Sequence, residues 1–305
     1  MFQEHKAPRP RPAPGVGARG MTLLHRHRWL TPYLLLLPGL AWLAVFFLVP
    51  LVFLGYQSLE SGSFERGYEF SWSFSNYWDG LVDYRAQLGR SFLYAGIATV
   101  LCLAIAYPLV YWIAFRGGRW KNLFLVIIVA PFFVTYLVRT LAWLNILADE
   151  GPVVGILQGV GVLAEDGRLL ATTTAVVAGI TYNFLPFMAL PLYVSLEQLD
   201  PRLLEAAKDL YASPAQAFLR VTVPLSAPGI VAGTLLTFIP AAGDFINAQL
   251  LGTPRQYMLG NVIQSKFLEL IDYPTAAALS FLLMLLILAA LLLYARAVGT
   301  EKLTG

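Results

Sequence analysis

The sequence predicts an all-α membrane protein with six transmembrane helices. Three observations carry that reading. Of the 305 residues 58% are hydrophobic and only 13% charged, more apolar side chain than a water-soluble domain can hide. Six stretches, roughly 30–57, 91–115, 122–147, 172–196, 229–251 and 275–295, reach the ~20 mostly apolar residues that a helix needs to cross ~30 Å of hydrocarbon. The runs are continuous rather than alternating, which argues against a transmembrane barrel.

Ahead of the first run, residues 1–29 read as a disordered, basic, cytoplasmic tail, because APRPRPAPGVG carries proline and charge with nothing to pack. It is not a secretory signal peptide: the apolar run behind it is too long and no small-residue cleavage site follows. Met21 is an alternative start, and His25-Arg26-His27-Arg28 reads as a basic anchor at the inner interface. Within the runs, Pro38, Pro50, Pro108, Pro131, Pro186, Pro191 and Pro240 predict kinks that neighbouring helices accommodate. The one cysteine, Cys102, excludes a disulfide within the chain and reads as a buried, inert thiol. The spacing of Gly229 and Gly233 predicts close approach of a neighbouring helix.

With the N-terminus placed inside, the inner segments hold 14 of the 21 lysines and arginines and the outer segments 6; Arg139 lies within a span. That bias obeys the positive-inside rule and puts both termini in the cytoplasm, the C-terminal tail being 299–305. The outer segments carry 11 acids, which attract cations as far as screening allows. The long outer loop 59–90 is rich in aromatics, among them Phe64, Phe70, Trp72, Phe74 and Trp78. It reads either as a small cap with an interfacial aromatic belt or as a docking surface for an extracytoplasmic partner.

The segment 197–227 lies between two apolar runs on the cytoplasmic side. Asp200 followed by Pro201 is an N-cap acceptor ahead of a proline at the first helical position. Leu203, Leu204, Ala207, Leu210 and Tyr211 form an apolar face at helical spacing, with Glu205, Lys208 and Asp209 facing elsewhere. A second start follows, in which Ser213, Pro214 and Gln216 fit a capping box, and that helix is expected to stop near Pro224. Two short, angled helices result, longer and better capped than a plain connection.

Glu205-Ala206-Ala207, three residues, position 211, nine residues, then Val221-Thr222-Val223-Pro224 resembles the EAA loop of binding-protein-dependent ABC importer permeases. The resemblance implies the type I ABC importer permease fold. It also implies a coupling helix seated in a groove of an ATPase subunit, with Glu205, Ala206, Ala207, Asp209, Tyr211 and Pro224 as the coupling residues. The family glycine is replaced here by Tyr211, and the family Ile and Leu by Val221 and Val223. Glycine tolerates φ > 0 at the break between the helices and tyrosine does not, so a differently shaped break is expected. The partners implied are a second homologous permease, two ATPase subunits, an extracytoplasmic solute-binding protein and membrane lipid. No GxxxxGK[ST] phosphate loop occurs, so ATP and Mg are expected on the partner ATPase, with no cofactor and no catalytic or metal site in this chain.

Tyr136 to Trp143, Gly243-Asp244-Phe245, Leu250-Leu251-Gly252 and Met258 to Gln264 are similar to the first permease subunit of spermidine/putrescine importers. Related permeases for opines, amino-acid derivatives or iron chelates share parts of these motifs and remain alternatives. Charges inside spans are costly and often functional. Counted along straight helices, Arg139 and Asp244 come to matching depth, ~26 and ~24 Å at 1.5 Å per residue, and are expected to pair. In a sharper reading Asp244 meets a cationic amine in the pathway, with Arg139, Trp143 and Tyr182 beside it. A membrane-embedded aspartyl protease would need a second intramembrane aspartate, which is lacking, and a secondary transporter would show internal repeats, of which none is clear. Neither rival accounts for the segment 197–227.

Overall fold

The computed structural model describes residues 30–298. The tails expected at 1–29 and 299–305, the alternative start and the basic anchor lie outside the described residues. The chain divides into two compact units between Leu54 and Gly55.

In the first unit, α1 (Leu30–Leu43), a π turn (Ala44–Leu48) and the start of α2 (Val49–Gln57) form one helical run. The π turn ends one residue short of Pro50, with Val49 between them. A proline ring has no N–H and collides with the carbonyl four residues back, and the wider turn makes room for it.

The second unit opens with a short antiparallel hairpin that sequence reading did not foresee. It comprises β1 (Glu60–Ser63) and β2 (Gly67–Phe70), with Glu60 opposite Phe70 and Ser63 opposite Gly67. Then follow α3 (Ser75–Asp83), the 32-residue α4 (Arg85–Arg116), α5 (Lys121–Val129), α6 (Tyr136–Ile146), α7 (Pro152–Gly159) and α8 (Thr173–Glu197). The segment 197–227 supplies α9 (Pro201–Asp209), α10 (Pro214–Ala217), a π turn (Phe218–Thr222) and α11 (Val223–Leu225). The chain closes with α12 (Ala227–Ala242), α13 (Ile246–Leu251), α14 (Leu259–Leu268) and α15 (Tyr273–Val298).

Four helices are long and apolar enough to cross a membrane alone: Leu35–Gln57, Arg85–Arg116, Thr173–Glu197 and Tyr273–Arg296. The count reaches six with two broken pairs, Gly118–Phe133 with Tyr136–Ile146, bent by 96°, and Pro214–Leu225 with Ala227–Ala242, bent by 64°. The third and fifth apolar runs are therefore not straight spans. A 3₁₀ turn through Pro131 ends the third run's first half, and Val134 and Thr135 are extended. The fifth run stops at Ala242 and resumes at Ile246.

The core lies among α4, α8 and α12. On α4 the fully buried residues Ala95, Ala98, Cys102, Ala106 and Val110 recur every three or four positions, a stripe of small side chains that lets helices approach. Cys102 is buried as expected, and its thiol donates to the Thr181 carbonyl at 3.3 Å. The Gly229–Gly233 spacing works as predicted. A Cβ on Gly229 would stand 2.8 Å from the Pro191 carbonyl oxygen, and one on Gly233 2.7 Å from the Met188 sulfur. Backbone meets backbone there, and α12 presses on α8 through two hydrogen atoms.

Segments assigned to the same side of the membrane meet. Tyr68 donates to the Ile271 carbonyl, Arg90 Nε donates to the Tyr257 carbonyl at 2.8 Å, and Lys266 pairs with Asp272 at 3.0 Å. Burial alone would draw the Lys266 ammonium down, but the hydrogen bond and charge of Asp272 outweigh it, and its pKa lies above the usual lysine value. A raised pKa keeps the lysine charged at neutral pH, so the pair weakens only as pH rises past the lysine range. At the opposite end Lys121 pairs with Glu197 at 3.0 Å.

Gly233→Val is expected to cost about 1–3 kcal/mol through overpacking. Gly96→Ala, whose Cβ meets nothing within 4 Å, is expected to be neutral or slightly stabilising, because it removes a flexible residue from a helix interior. Thermal unfolding of the two purified variants in detergent compares them.

Candidate functional site

Two places concentrate polar chemistry in the second unit. The first is the helix pair between α8 and α12. Asp200 Oδ1 accepts from the Arg202 backbone N–H at 2.9 Å, the expected cap of α9, and Pro201 takes the first position. Ser213 and Gln216 form the full capping box: Gln216 N–H donates to Ser213 Oγ at 3.3 Å, and Ser213 N–H to Gln216 Oε1 at 2.9 Å. These short helices hold because side chains satisfy end groups that would otherwise be orphaned.

Between them the chain turns at Tyr211, whose φ is 59°. The Ala212 N–H bonds to the Ala207 carbonyl at 3.0 Å and the Tyr211 N–H to the Lys208 carbonyl at 2.9 Å. That pair of bonds is a Schellman motif, with tyrosine at the left-handed position where glycine is usual. The differently shaped break expected from the tyrosine is not what the structure has. The two end-bonds hold the backbone in the conformation that a glycine would take, and the tyrosine side chain stands 97% exposed.

Most of the predicted apolar face is uncovered. Leu203 is 46% exposed and Leu210 81%, whereas Ala207 is buried. Glu205, Ala206, Asp209 and Pro224 are exposed. The second helix ends near Pro224, as expected, at Leu225. A π turn stands ahead of the proline, as at Pro50. Phe218 in that turn meets Tyr107 and Tyr111 of α4 edge-on at 5.3 and 5.6 Å, and Tyr107 shares a hydrogen bond of 2.8 Å with Ser226. The helix pair is thereby held to the longest span.

The second place is a buried polar cluster at the two helix breaks. Asp244, 6% exposed, sits between α12 and α13. Its Oδ1 accepts from the backbone N–H of Ile246 at 3.0 Å and of Asn247 at 3.4 Å, the first turn of α13. Its Oδ2 accepts from the Tyr136 hydroxyl at 2.8 Å and the Asn247 side-chain amide at 2.6 Å. Asn247 also donates to the Tyr136 oxygen, and Asn183 of α8 donates to Asn247 and Thr140. The motif beginning at Met258 supports this break: Asn261 donates to the Phe245 carbonyl at 2.8 Å, and a Cβ on Gly260 would stand 2.7 Å from the Gly243 oxygen.

Arg139 and Asp244 do not pair. Among the described residues no ion pair joins them. The straight-helix count of depth fails because both helices break before reaching these residues. Arg139, 8% exposed, instead lies over the rings of Tyr136 and Phe132, with Cζ 5.6 and 5.7 Å from their centroids. Its Nε and Nη1 have no partner among the described residues. Trp143 and Tyr182 do come together, edge to face at 5.4 Å. Sequence reading missed Asn183, Asn247 and the role of Tyr136. Two asparagines inside apolar runs were the available signal, since an amide in hydrocarbon needs partners.

A ladder of rings runs along the hairpin, Tyr56 of α2 on Phe70 at 4.8 Å, Phe70 on Trp72 at 4.9 Å and Trp72 on Phe74 at 6.2 Å. Trp72, Phe74 and Trp78 are each more than 60% exposed. Asn76 fixes the hairpin by donating to the Ser58 and Glu60 carbonyls. Desolvation raises the pKa of the Glu60 carboxyl.

Comparison with known proteins follows the same lines. Residues 106–298 match the model of the family described as binding-protein-dependent transport system inner membrane component. The chain is 38% identical over 258 residues to the spermidine/putrescine transport system permease protein PotB of Haemophilus influenzae, covering 84% of this chain and 90% of that protein. It is 37% identical over 261 residues to PotB of Escherichia coli, covering 84% and 94%. A bacterial alginate ABC transporter, crystallised with an alginate pentasaccharide-bound periplasmic protein, contains a chain of the same fold, with a TM-score of 0.71 at 18% identity over 94% of this chain and 99% of that one. With its broken apolar spans and capped helix pair, the chain belongs to the family of binding-protein-dependent transport system inner membrane components.

Proposed function

We propose that this chain is a permease subunit of an ATP-driven importer for polyamines, spermidine and putrescine. The observation that carries the substrate class is the 37–38% identity to permeases named for those solutes, spread over 84% of the chain. The permease domain spans 30–298 and lies in the bacterial cytoplasmic membrane with both termini inside. It works beside a second homologous permease, two ATPase subunits that hold ATP and Mg, and an extracytoplasmic binding protein. The exposed ring ladder of the outer hairpin fits a docking role for that last partner.

Coupling runs through α9. Its uncovered face, Leu203 and Leu210 with Tyr211 at the turn, is apolar surface in want of a partner. Glu205, Ala206, Ala207, Asp209, Tyr211 and Pro224 are the residues assigned to ATPase contact. Closure of the ATPases moves α9, and the Phe218 and Tyr107–Ser226 contacts pass that displacement to α4 and α12. A polyamine crossing the spans needs a carboxylate and aromatic faces for its ammonium groups. Asp244, with Arg139, Trp143 and Tyr182 near the same breaks, is assigned to the pathway.

ATPase activity of the assembled complex in lipid, with loaded binding protein, tests the reading across spermidine, putrescine and unrelated solutes. Stimulation by polyamines alone is expected; stimulation by another solute class discards the polyamine assignment and keeps the importer. Glu205→Lys is expected to leave membrane insertion intact and abolish transport, and wild-type uptake at normal protein level removes the coupling role. Tyr211→Gly is expected to relieve the left-handed strain and stabilise the chain by about 1 kcal/mol, measured by thermal unfolding.

A further inference from the structure

We propose that Tyr136 is a spacer: it keeps the Arg139 guanidinium from neutralising Asp244, so that this buried carboxylate stays available to a cationic group in the permeation pathway. The proposal rests on the reading above, in which that group is a substrate ammonium, and names the residue that makes the site possible.

The two charges touch the same side chain without touching each other. Asp244 accepts from the Tyr136 hydroxyl at 2.8 Å, while the Arg139 Cζ lies 5.6 Å from the centroid of the Tyr136 ring. Opposite charges attract strongly where the dielectric is low, and buried or intramembrane ionic groups ordinarily pair. Here they do not. Asp244 is satisfied entirely by neutral donors, the Tyr136 hydroxyl, the Asn247 amide and two backbone N–H groups. Neutral donors fill the carboxylate's hydrogen-bonding positions without bringing a compensating positive charge.

Arg139 is the complementary half. It is 8% exposed, yet Nε and Nη1 are buried without a partner among the described residues. A buried unsatisfied donor costs free energy, so the arginine would gain by reaching the carboxylate if the ring were gone. Asn183 Oδ1, one amide further along the same network, is also buried without a donor among the described residues. One acceptor of the cluster is thus open to an incoming ammonium, whose three donors can compete with the neutral donors on Asp244.

The test uses the full complex in lipid. Tyr136→Ala is expected to let Arg139 reach Asp244 and to lower uptake of spermidine at least tenfold. Tyr136→Ala combined with Arg139→Gln is expected to take up more spermidine than Tyr136→Ala alone. Tyr136→Phe, which keeps the ring, is a milder variant for the case in which the alanine does not assemble; it is expected to retain more uptake than Tyr136→Ala. A second readout needs no substrate. The coupling between Arg139→Gln and Asp244→Asn in thermal stability is expected to be larger in the Tyr136→Ala background than in wild type or Tyr136→Phe. A double variant as inactive as the single, or coupling no larger without the ring, overturns the spacer. If wild type takes up no cationic solute, the polyamine reading fails, and the stability cycle still decides the spacer.

Discussion

Hydrocarbon offers no hydrogen-bond partner, so a chain that breaks a helix within a membrane must supply every donor and acceptor itself. This constraint organises the second unit. The break at 243–245 holds because Asp244 caps the helix that follows it, and Asn261 takes the Phe245 carbonyl. The break at 134–135 delivers Tyr136 to the same place, where its hydroxyl both donates and accepts. Each interruption satisfies the other. A polar cluster that began as backbone repair is also the one place among the described spans where a buried carboxylate meets neutral donors only.

The same economy appears where helices cross. The stripe of small residues on α4 and the bare contacts at Gly229 and Gly233 trade side-chain volume for proximity. Close helices share dispersion contacts over their whole length, and a displacement of one is felt by its neighbour. The aromatic contacts of Phe218 and the Tyr107–Ser226 bond sit where the short helices join this tight trio. The joint is polar and aromatic.

What the sequence showed and what it hid divide along physical lines. The caps at Asp200 and Ser213 were legible because capping is local: the residues that make it lie within three positions of one another. The apolar runs were legible because their length is set by the bilayer. The meeting of Arg139 with Asp244 was misjudged because depth was counted along straight helices, and proline marked a kink at 131 without giving its size. The left-handed Tyr211 ran against its own propensity, held by two bonds from neighbouring turns. The hairpin escaped notice because four-residue strands such as ESGS carry almost no pattern.

One feature of α8 bears on how such a bundle moves. Pro186 and Pro191 lie inside it, and each withholds the N–H that the carbonyl four residues earlier, at Tyr182 and at Phe187, would ordinarily receive. The span at the centre of the packed trio is therefore the one whose own ladder lacks two rungs. Its shape is kept by its neighbours more than by itself. When those neighbours shift, α8 can follow by curving at the two missing rungs.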